Sequence, residues 1–280
     1  MIIIENVVFA YNRKKPLFNG LSLRLEKGNI YGLLGKNGAG KTTLLKIIAG
    51  LVFPQSGKCS LNGFESKDRI PEALEDIYIL PEEFELPSIK ILQYVSLNAP
   101  FYTRFDMEKF NNLIEEFQLD PQKKLNQLSY GQKKKFLLAF GLSTNARLML
   151  MDEPTNGLDI PSKSQFRKVI AASMEADQII IISTHQVRDL QSLIDPVIIM
   201  EDGKIIFNRG IEDISHKLLF EPQHKKEAGE KILYAEEVFG GQSAVLLNTS
   251  KRETRVDLEL LFNAVISQPK AINDVFENPS

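Results

Sequence analysis

Eight consecutive residues, Gly35-Lys36-Asn37-Gly38-Ala39-Gly40-Lys41-Thr42, spell the G-x-x-x-x-G-K-[ST] pattern of a phosphate-binding loop. The residue types meet physical demands. Glycines at 35, 38 and 40 open backbone conformations closed to a residue with a Cβ, so successive N–H groups can converge on phosphate oxygens. Lys41 brings a compact charge to β- and γ-phosphates, and the Thr42 hydroxyl is suited to Mg²⁺. A nucleoside triphosphate with Mg²⁺ is the expected ligand, bound by residues 35–43, Thr43 included.

Downstream, Leu148-Met149-Leu150-Met151 runs into Asp152-Glu153. A buried strand ending in two acids delivers them to the carboxyl edge of a sheet, where an α/β protein binds its ligands. Asp152 is the candidate metal ligand. Glu153 is the candidate for polarising an attacking water, since phosphoryl transfer depends on positioning and charge stabilisation. Ser129-Tyr130-Gly131-Gln132 has two readings: a capping box, serine capping the helix and Gln132 reaching back, or an anion site of a hydroxyl and helix-start N–H groups. His185, after Ile179–Ile182, Ser183 and Thr184, is on its own either a satisfied structural histidine or a site residue.

Elements must hold these groups. The phosphate loop follows the strand-like run 30–34 and precedes Leu44, Leu45, Ile47, Ile48 and Leu51 at helical spacing, which is strand-loop-helix context. Further β runs at 2–9, 77–80, 148–151, 179–183 and 197–200 alternate with helical segments, predicting an α/β fold with much parallel sheet. The unbroken aliphatic runs near 148 and 179 should be central strands covered on both faces. Between about 87 and 145 helices take over. There Asp106 caps an amphipathic stripe of Met107, Phe110, Leu113, Ile114 and Phe117, and Phe84, Tyr94, Phe101, Tyr102 and Phe105 read mostly as the core of this insert. Lys133-Lys134-Lys135 reads as a solvated helix face. From about 217 the segment 223–227 reads as a linker, followed by a hairpin of 232–235 and 243–247 around Gly240-Gly241. A helix bearing Leu258, Leu260, Leu261, Ala264 and Val265 comes last. So small an appendage must pack on the main domain or on a second copy.

The 280 residues, 43% hydrophobic and 25% charged, suit one sizeable core. The longest aliphatic run falls far short of the roughly 20 residues of a membrane helix, and the start lacks a secretory signal. The net charge of −2 argues against general nucleic-acid affinity. One cysteine, Cys59, excludes an internal disulfide and fits a reducing compartment.

Taken together and in this order, the phosphate loop, LSYGQ at 128–132, Asp152-Glu153, Gly157-Leu158-Asp159 and His185 resemble those of ATP-binding-cassette (ABC) ATPases, over about residues 2–209. The resemblance implies a P-loop NTPase core with a mainly parallel sheet, an antiparallel N-terminal β portion, a helical insert and a small C-terminal α+β appendage. It divides the chain into an ATPase domain, 1–216, and an appendage, 217–280, with a regulatory or dimerising role. It also implies a head-to-tail dimer in which ATP is sandwiched between one copy's phosphate loop and the other's Ser129, Gly131 and Gln132. Within that sandwich Glu153 acts on water, His185 bonds the γ-phosphate, Asp159 links the two sites, and Tyr11 stacks on adenine. The chain departs from the usual LSGGQ at Tyr130, and from the usual metal-reaching glutamine at Glu82, whose carboxylate ligates Mg²⁺ without an amide donor.

The implied role is the ATP-hydrolysing subunit of a transporter. Its partners are ATP, integral membrane subunits and a second cassette subunit, identical or different; nucleic acid is not expected. Such a subunit works in the cytoplasm, peripheral on the membrane's cytoplasmic face. The ending Val256-Asp257-Leu258-Glu259-Leu260-Leu261-Phe262 resembles those of exporter subunits. The rival is a soluble cassette ATPase acting on DNA or ribosomes, which usually shows a coiled-coil insert, zinc cysteines or two joined cassettes, none present here. An inactive cassette is disfavoured by Lys41, Asp152, Glu153 and His185.

Overall fold

In the computed structural model, residues 1–12, 15–223, 231–239, 241–250 and 252–277 are described. A six-stranded sheet, ordered β10-β9-β3-β8-β7-β6, forms the centre. Its members are β3 (Asn29–Leu34), β6 (Ile77–Leu80), β7 (Leu148–Asp152), β8 (Ile179–Thr184), β9 (Val197–Glu201) and β10 (Lys204–Arg209). All pair in parallel except β10, antiparallel to β9. Every residue of β7 and β8 is buried, as their unbroken aliphatic runs predict. Because strand side chains alternate between faces, Leu148, Leu150, Ile179 and Ile181 join one hydrophobic cluster, while Met149, Met151, Ile180 and Ile182 join the other.

The first cluster is closed by α1 (Lys41–Ile48) and an antiparallel sheet of order β2-β1-β4-β5. That sheet holds β1 (Ile2–Phe9), β2 (Phe18–Leu25), β4 (Ser56–Leu61) and β5 (Phe64–Glu65). β1 turns Ile2, Ile4, Val7 and Phe9 inward and breaks its alternation at Glu5 and Asn6, where the register shifts. The short α2 (Pro71–Leu74) leads into β6. The helical insert packs over the other cluster as α3 (Ile91–Asn98), α4 (Met107–Glu116) and α5 (Tyr130–Ser143), with α6 (Ile160–Ser173) beside it. Asp106 caps α4 by accepting from the Lys109 amide at 2.9 Å.

Four expectations need correction. Leu51 lies beyond the end of α1 and is half exposed, and Met107, in the first turn of α4, is likewise turned to solvent; each falls where a helix end no longer faces the core. Lys134 is not on a solvated face: it is 2% exposed, because α5 is buried on nearly all sides between insert and sheet. The linker read at 223–227 begins inside a strand, β11 (Leu218–Gln223), and its remainder, with Gly240 of the hairpin, lies outside the described residues.

After α7 (Ile211–Lys217), β11 joins β12 (Ile232–Val238) and β13 (Gly241–Leu247) in an antiparallel sheet of order β11-β13-β12. Two helices follow, α8 (Leu258–Ser267) and α9 (Pro269–Glu277). Leu258, Leu260, Leu261, Ala264 and Val265 are all buried, in the same cluster as Met149 and Ile199. The appendage therefore packs on the main domain: Gln191 donates to the Val256 carbonyl at 2.8 Å, and Asn273 donates to that of Ile206 at 3.0 Å.

Candidate active site at the phosphate loop

β3 ends at Leu34, and residues 35–40 carry the chain from its carboxyl end into α1. Gly40 stands at φ +107°, and a Cβ there would lie 2.7 Å from the Phe18 ring, so only glycine fits. No side chain caps α1, which leaves its first N–H groups for an anion, with the positive end of the helix dipole behind them. Lys41 Nζ donates to the Gly35 carbonyl at 2.7 Å and the Lys36 carbonyl at 3.3 Å. Burial pulls its pKa down, against the opposing pull of Glu153, Asp152 and Glu82.

The acids arrive by strand register. Asp152 of β7 pairs with Ser183 of β8, and the Ser183 hydroxyl donates to its Oδ1. Glu153, the next residue, is buried and sits at φ +45°, a left-handed conformation that costs a non-glycine residue about 1–3 kcal/mol and clusters at functional sites. Its Oε2 accepts from the Thr184 hydroxyl at 3.0 Å, and its Oε1 accepts from the His185 amide at 3.0 Å. The same Oε1 lies 2.7 Å from His185 Nδ1 and 3.7 Å from Lys41 Nζ. A carboxylate held at both oxygens, beside a lysine, is aimed rather than free to rotate.

These groups open on a cleft of about 440 Å³. Asn37, Gly38, Gly40, Lys41, Thr42 and Thr43 line one side, with Tyr11, Glu82 and Glu153 around them. Tyr11 is mostly exposed, makes a T-shaped pair with Phe9, and has its hydroxyl 3.1 Å from Thr43 Oγ1. Gly35, Lys36 and Ala39 complete the loop, the first two through their carbonyls on Lys41. His185 rests on Glu153 beside the cleft.

The remaining sequence candidates lie elsewhere. Ser129 and Gln132 form the capping box of α5, Ser129 Oγ accepting from the Gln132 amide at 3.2 Å and Gln132 Oε1 from the Ser129 amide at 3.0 Å. Neither they nor Gly131 line the phosphate-loop cleft. Asp159 caps α6 by accepting from the Ser162 amide at 2.8 Å, and the Ser162 side chain, followed by that amide, holds its carboxyl below the usual range. It borders a different cleft, with Lys135 and Lys168.

Four residues of this centre escaped the sequence reading. Ser183 and Thr184 carried a signal: two hydroxyls ending four isoleucines, one strand over from an acid pair. Asn156 carried none, and donates to Glu82 Oε1 at 3.1 Å. Lys134 was hidden in its lysine run. Its Nζ donates at 2.8 Å to the carbonyls of both Glu153 and Asn156. Burial lowers its pKa to about 8, opposed by Glu82, Glu153 and Asp152.

No group of three or more His, Cys, Asp or Glu among the described residues is placed to hold a metal alone. Thr42, Glu82 and Asp152 are hard oxygen donors, fitting a Mg²⁺ that keeps water and takes phosphate oxygens as ligands.

Comparison with known proteins settles the family. The model for the ABC transporter family matches residues 18–156. An ABC transporter ATP-binding protein of Methanocaldococcus jannaschii, MJ1023, is 30% identical over 223 residues, covering 78% of this chain and 80% of the relative. The chain belongs to the ABC transporter family. It is an ATP-binding subunit and carries the ABC ATPase domain. The Nod factor export ATP-binding protein I of Burkholderia lata is 28% identical over 92% of this chain and 84% of its own length. Among solved structures, the cassette MJ0796, described as dimeric, post-hydrolysis and bound to ADP and Pi, superposes with a TM-score of 0.66 at 22% identity, covering 75% of this chain and 98% of that one. That likeness shows the α/β cassette fold.

Proposed function

We propose that this ABC ATPase subunit drives a transporter through separate membrane subunits, by closing head to tail on ATP with a second cassette. One observation carries the proposal: the cleft gathers the phosphate loop, Glu82 and Glu153 of one chain, while Ser129, Gly131 and Gln132 of the same chain line no part of it. A site with its phosphate cradle and its second anion site apart needs two chains to complete it. The dimeric state described for MJ0796 supports this arrangement.

In the closed pair, residues 35–43 hold the phosphates, Lys41 neutralises the β- and γ-charges, and Tyr11 stacks on the base. Ser129, Gly131 and Gln132 of one copy cover the nucleotide of the other, and Asp159 lies between the sites. Glu153, oriented by Thr184 and His185, accepts a proton from the attacking water; His185, on release from Glu153, reaches the γ-phosphate. Mg²⁺, held by Thr42, Asp152 and Glu82, supplies charge neutralisation when bound.

Among the described residues no helix is long and apolar enough to cross a membrane, so membrane partners place this subunit at the cytoplasmic face. Export is the preferred direction. Import and export relatives both align, but the Nod factor export protein matches 92% of the chain, a span that must enter the appendage. Residues 217–280 act as a regulatory or dimerising unit.

A complementation experiment tests the two-chain site. Lys41→Ala and Ser129→Arg are each expected to abolish hydrolysis alone. Mixed, half the dimers formed by random pairing carry one intact site of two, returning roughly a quarter of wild-type activity. Verified mixed dimers without activity would sink the composite site. Purification from native membranes tests the partner: a polytopic membrane protein is expected, and recovery only with ribosomes or DNA would overturn the transporter reading.

Glu82 has its own test. Glu82→Ala is expected to raise the Mg²⁺ concentration for half-maximal hydrolysis roughly tenfold, the equivalent of one charge-assisted contact, and Glu82→Gln by less. Unchanged rate and Mg²⁺ dependence in both variants would remove Glu82 from the site.

A further inference from the structure

At residue 130, where the resembled pattern has glycine, this chain carries tyrosine, and the side chain reaches two loops of the ATP site. Tyr130 opens α5 immediately after the Ser129 cap. Its hydroxyl donates to the Glu82 carbonyl at 2.9 Å. Its ring stacks on Phe84, centroids 5.5 Å apart and planes within 10°, and the Lys134 ammonium lies 5.3 Å from its centroid. The other edge meets Gly157 so closely that a Cβ there would be 2.9 Å from Tyr130 Cε1.

These contacts close a ring. Tyr130 holds the backbone of Glu82, and Asn156 holds its carboxylate. Lys134, one helical turn after Tyr130, holds the carbonyls of Glu153 and Asn156. Glu82 is therefore gripped from both sides by segments that are bolted to each other. Glycine at 130 would open the ring, leaving Glu82 to Asn156 alone.

We propose that Tyr130 is a positioning residue that fixes Glu82 in the nucleotide cleft and ties it to the Ser129 end of α5. Displacement of the Glu82 loop by nucleotide then moves the start of α5 with it, linking a chain's own site to the surface it offers its partner. The proposal rests on the ATP-site reading above. Because Tyr130 is half exposed, its hydroxyl bond tunes the site rather than building it.

The test uses the full chain and three substitutions. Tyr130→Phe keeps the stack and removes only the hydroxyl bond. It is expected to raise KM for ATP about three- to tenfold with kcat within about twofold of wild type, the effect of one hydrogen bond in a positioned group. Asn156→Ala should raise KM comparably. Since both changes loosen the same residue, the effect of the double variant should fall short of the product of the two single effects, whereas independent contacts would multiply. Tyr130→Gly, which also loses the stack, should raise KM at least as much as Tyr130→Phe.

Wild-type KM in Tyr130→Phe, multiplying effects in the double variant, or a lowered melting temperature in Tyr130→Gly without a change in KM each overturns the proposal. Failure of the ATP-site reading shows separately, as ATP binding that survives Lys41→Ala.

Discussion

Glu153→Gln is expected to lower ATP turnover by about 10²–10⁴-fold, the usual worth of a positioned general base, while ATP binding persists. Glutamine is nearly isosteric. Its oxygen can still accept from the His185 amide, and the Thr184 hydroxyl can rotate to accept from its amide nitrogen. The left-handed backbone at Glu153 is as tolerable to glutamine as to glutamate. What would disappear is the carboxylate to which the proposed mechanism assigns the proton from water. Ground-state contacts to the nucleotide survive, so the variant should accumulate as a closed dimer at saturating Mg-ATP. Phosphate release measures the first effect and light scattering the second. Near-wild-type phosphate release would remove Glu153 from catalysis; a purely monomeric variant would contradict ATP-driven closure.

A loss of stability of about 3–5 kcal/mol is expected for Phe140→Ala, the range for truncating a buried aromatic. Phe140 is 2% exposed and meets the rings of Tyr78, Tyr94, Tyr102, Phe105 and Phe136 at centroid distances from 5.2 to 6.5 Å. Edge-to-face pairs among them add to area burial. The cavity left sits between insert and sheet and cannot collapse, because Tyr78 is itself fixed by donating to the Leu137 carbonyl at 2.7 Å. At roughly 2–4 °C per kcal/mol for a chain of this size, the midpoint should fall by about 10 °C. Phe101→Ala, at a ring 72% exposed, should move it by less than about 2 °C. Calorimetry of both variants decides, and equal midpoints would refute the aromatic cluster as the insert's core.

Much of this was legible because the signals were local. Four isoleucines in a row at 179–182 specify a strand covered on both faces, and Asp106 before an apolar stripe specifies a helix start. The phosphate loop needs only its own residues to be recognised. What stayed hidden was tertiary. Lys134 looks like any member of a lysine run, since its burial is decided by which elements close over α5. Asn156 finds Glu82 across 74 positions of sequence, a distance no pattern spans. Strand β11 carries Pro222 near its end, a residue that reads against a strand, so its β character emerges only through pairing with β13.

The shared hydrophobic cluster beneath α8 gives the appendage a mechanical meaning. α8 lies against β9, and β9 is hydrogen-bonded in parallel to β3, the strand whose carboxyl end becomes the phosphate loop. The C-terminal sheet thus reaches the first residue of the nucleotide cradle through α8, β9 and β3, by direct packing and strand pairing. The junction near residue 217 divides the chain by pattern, but not by packing.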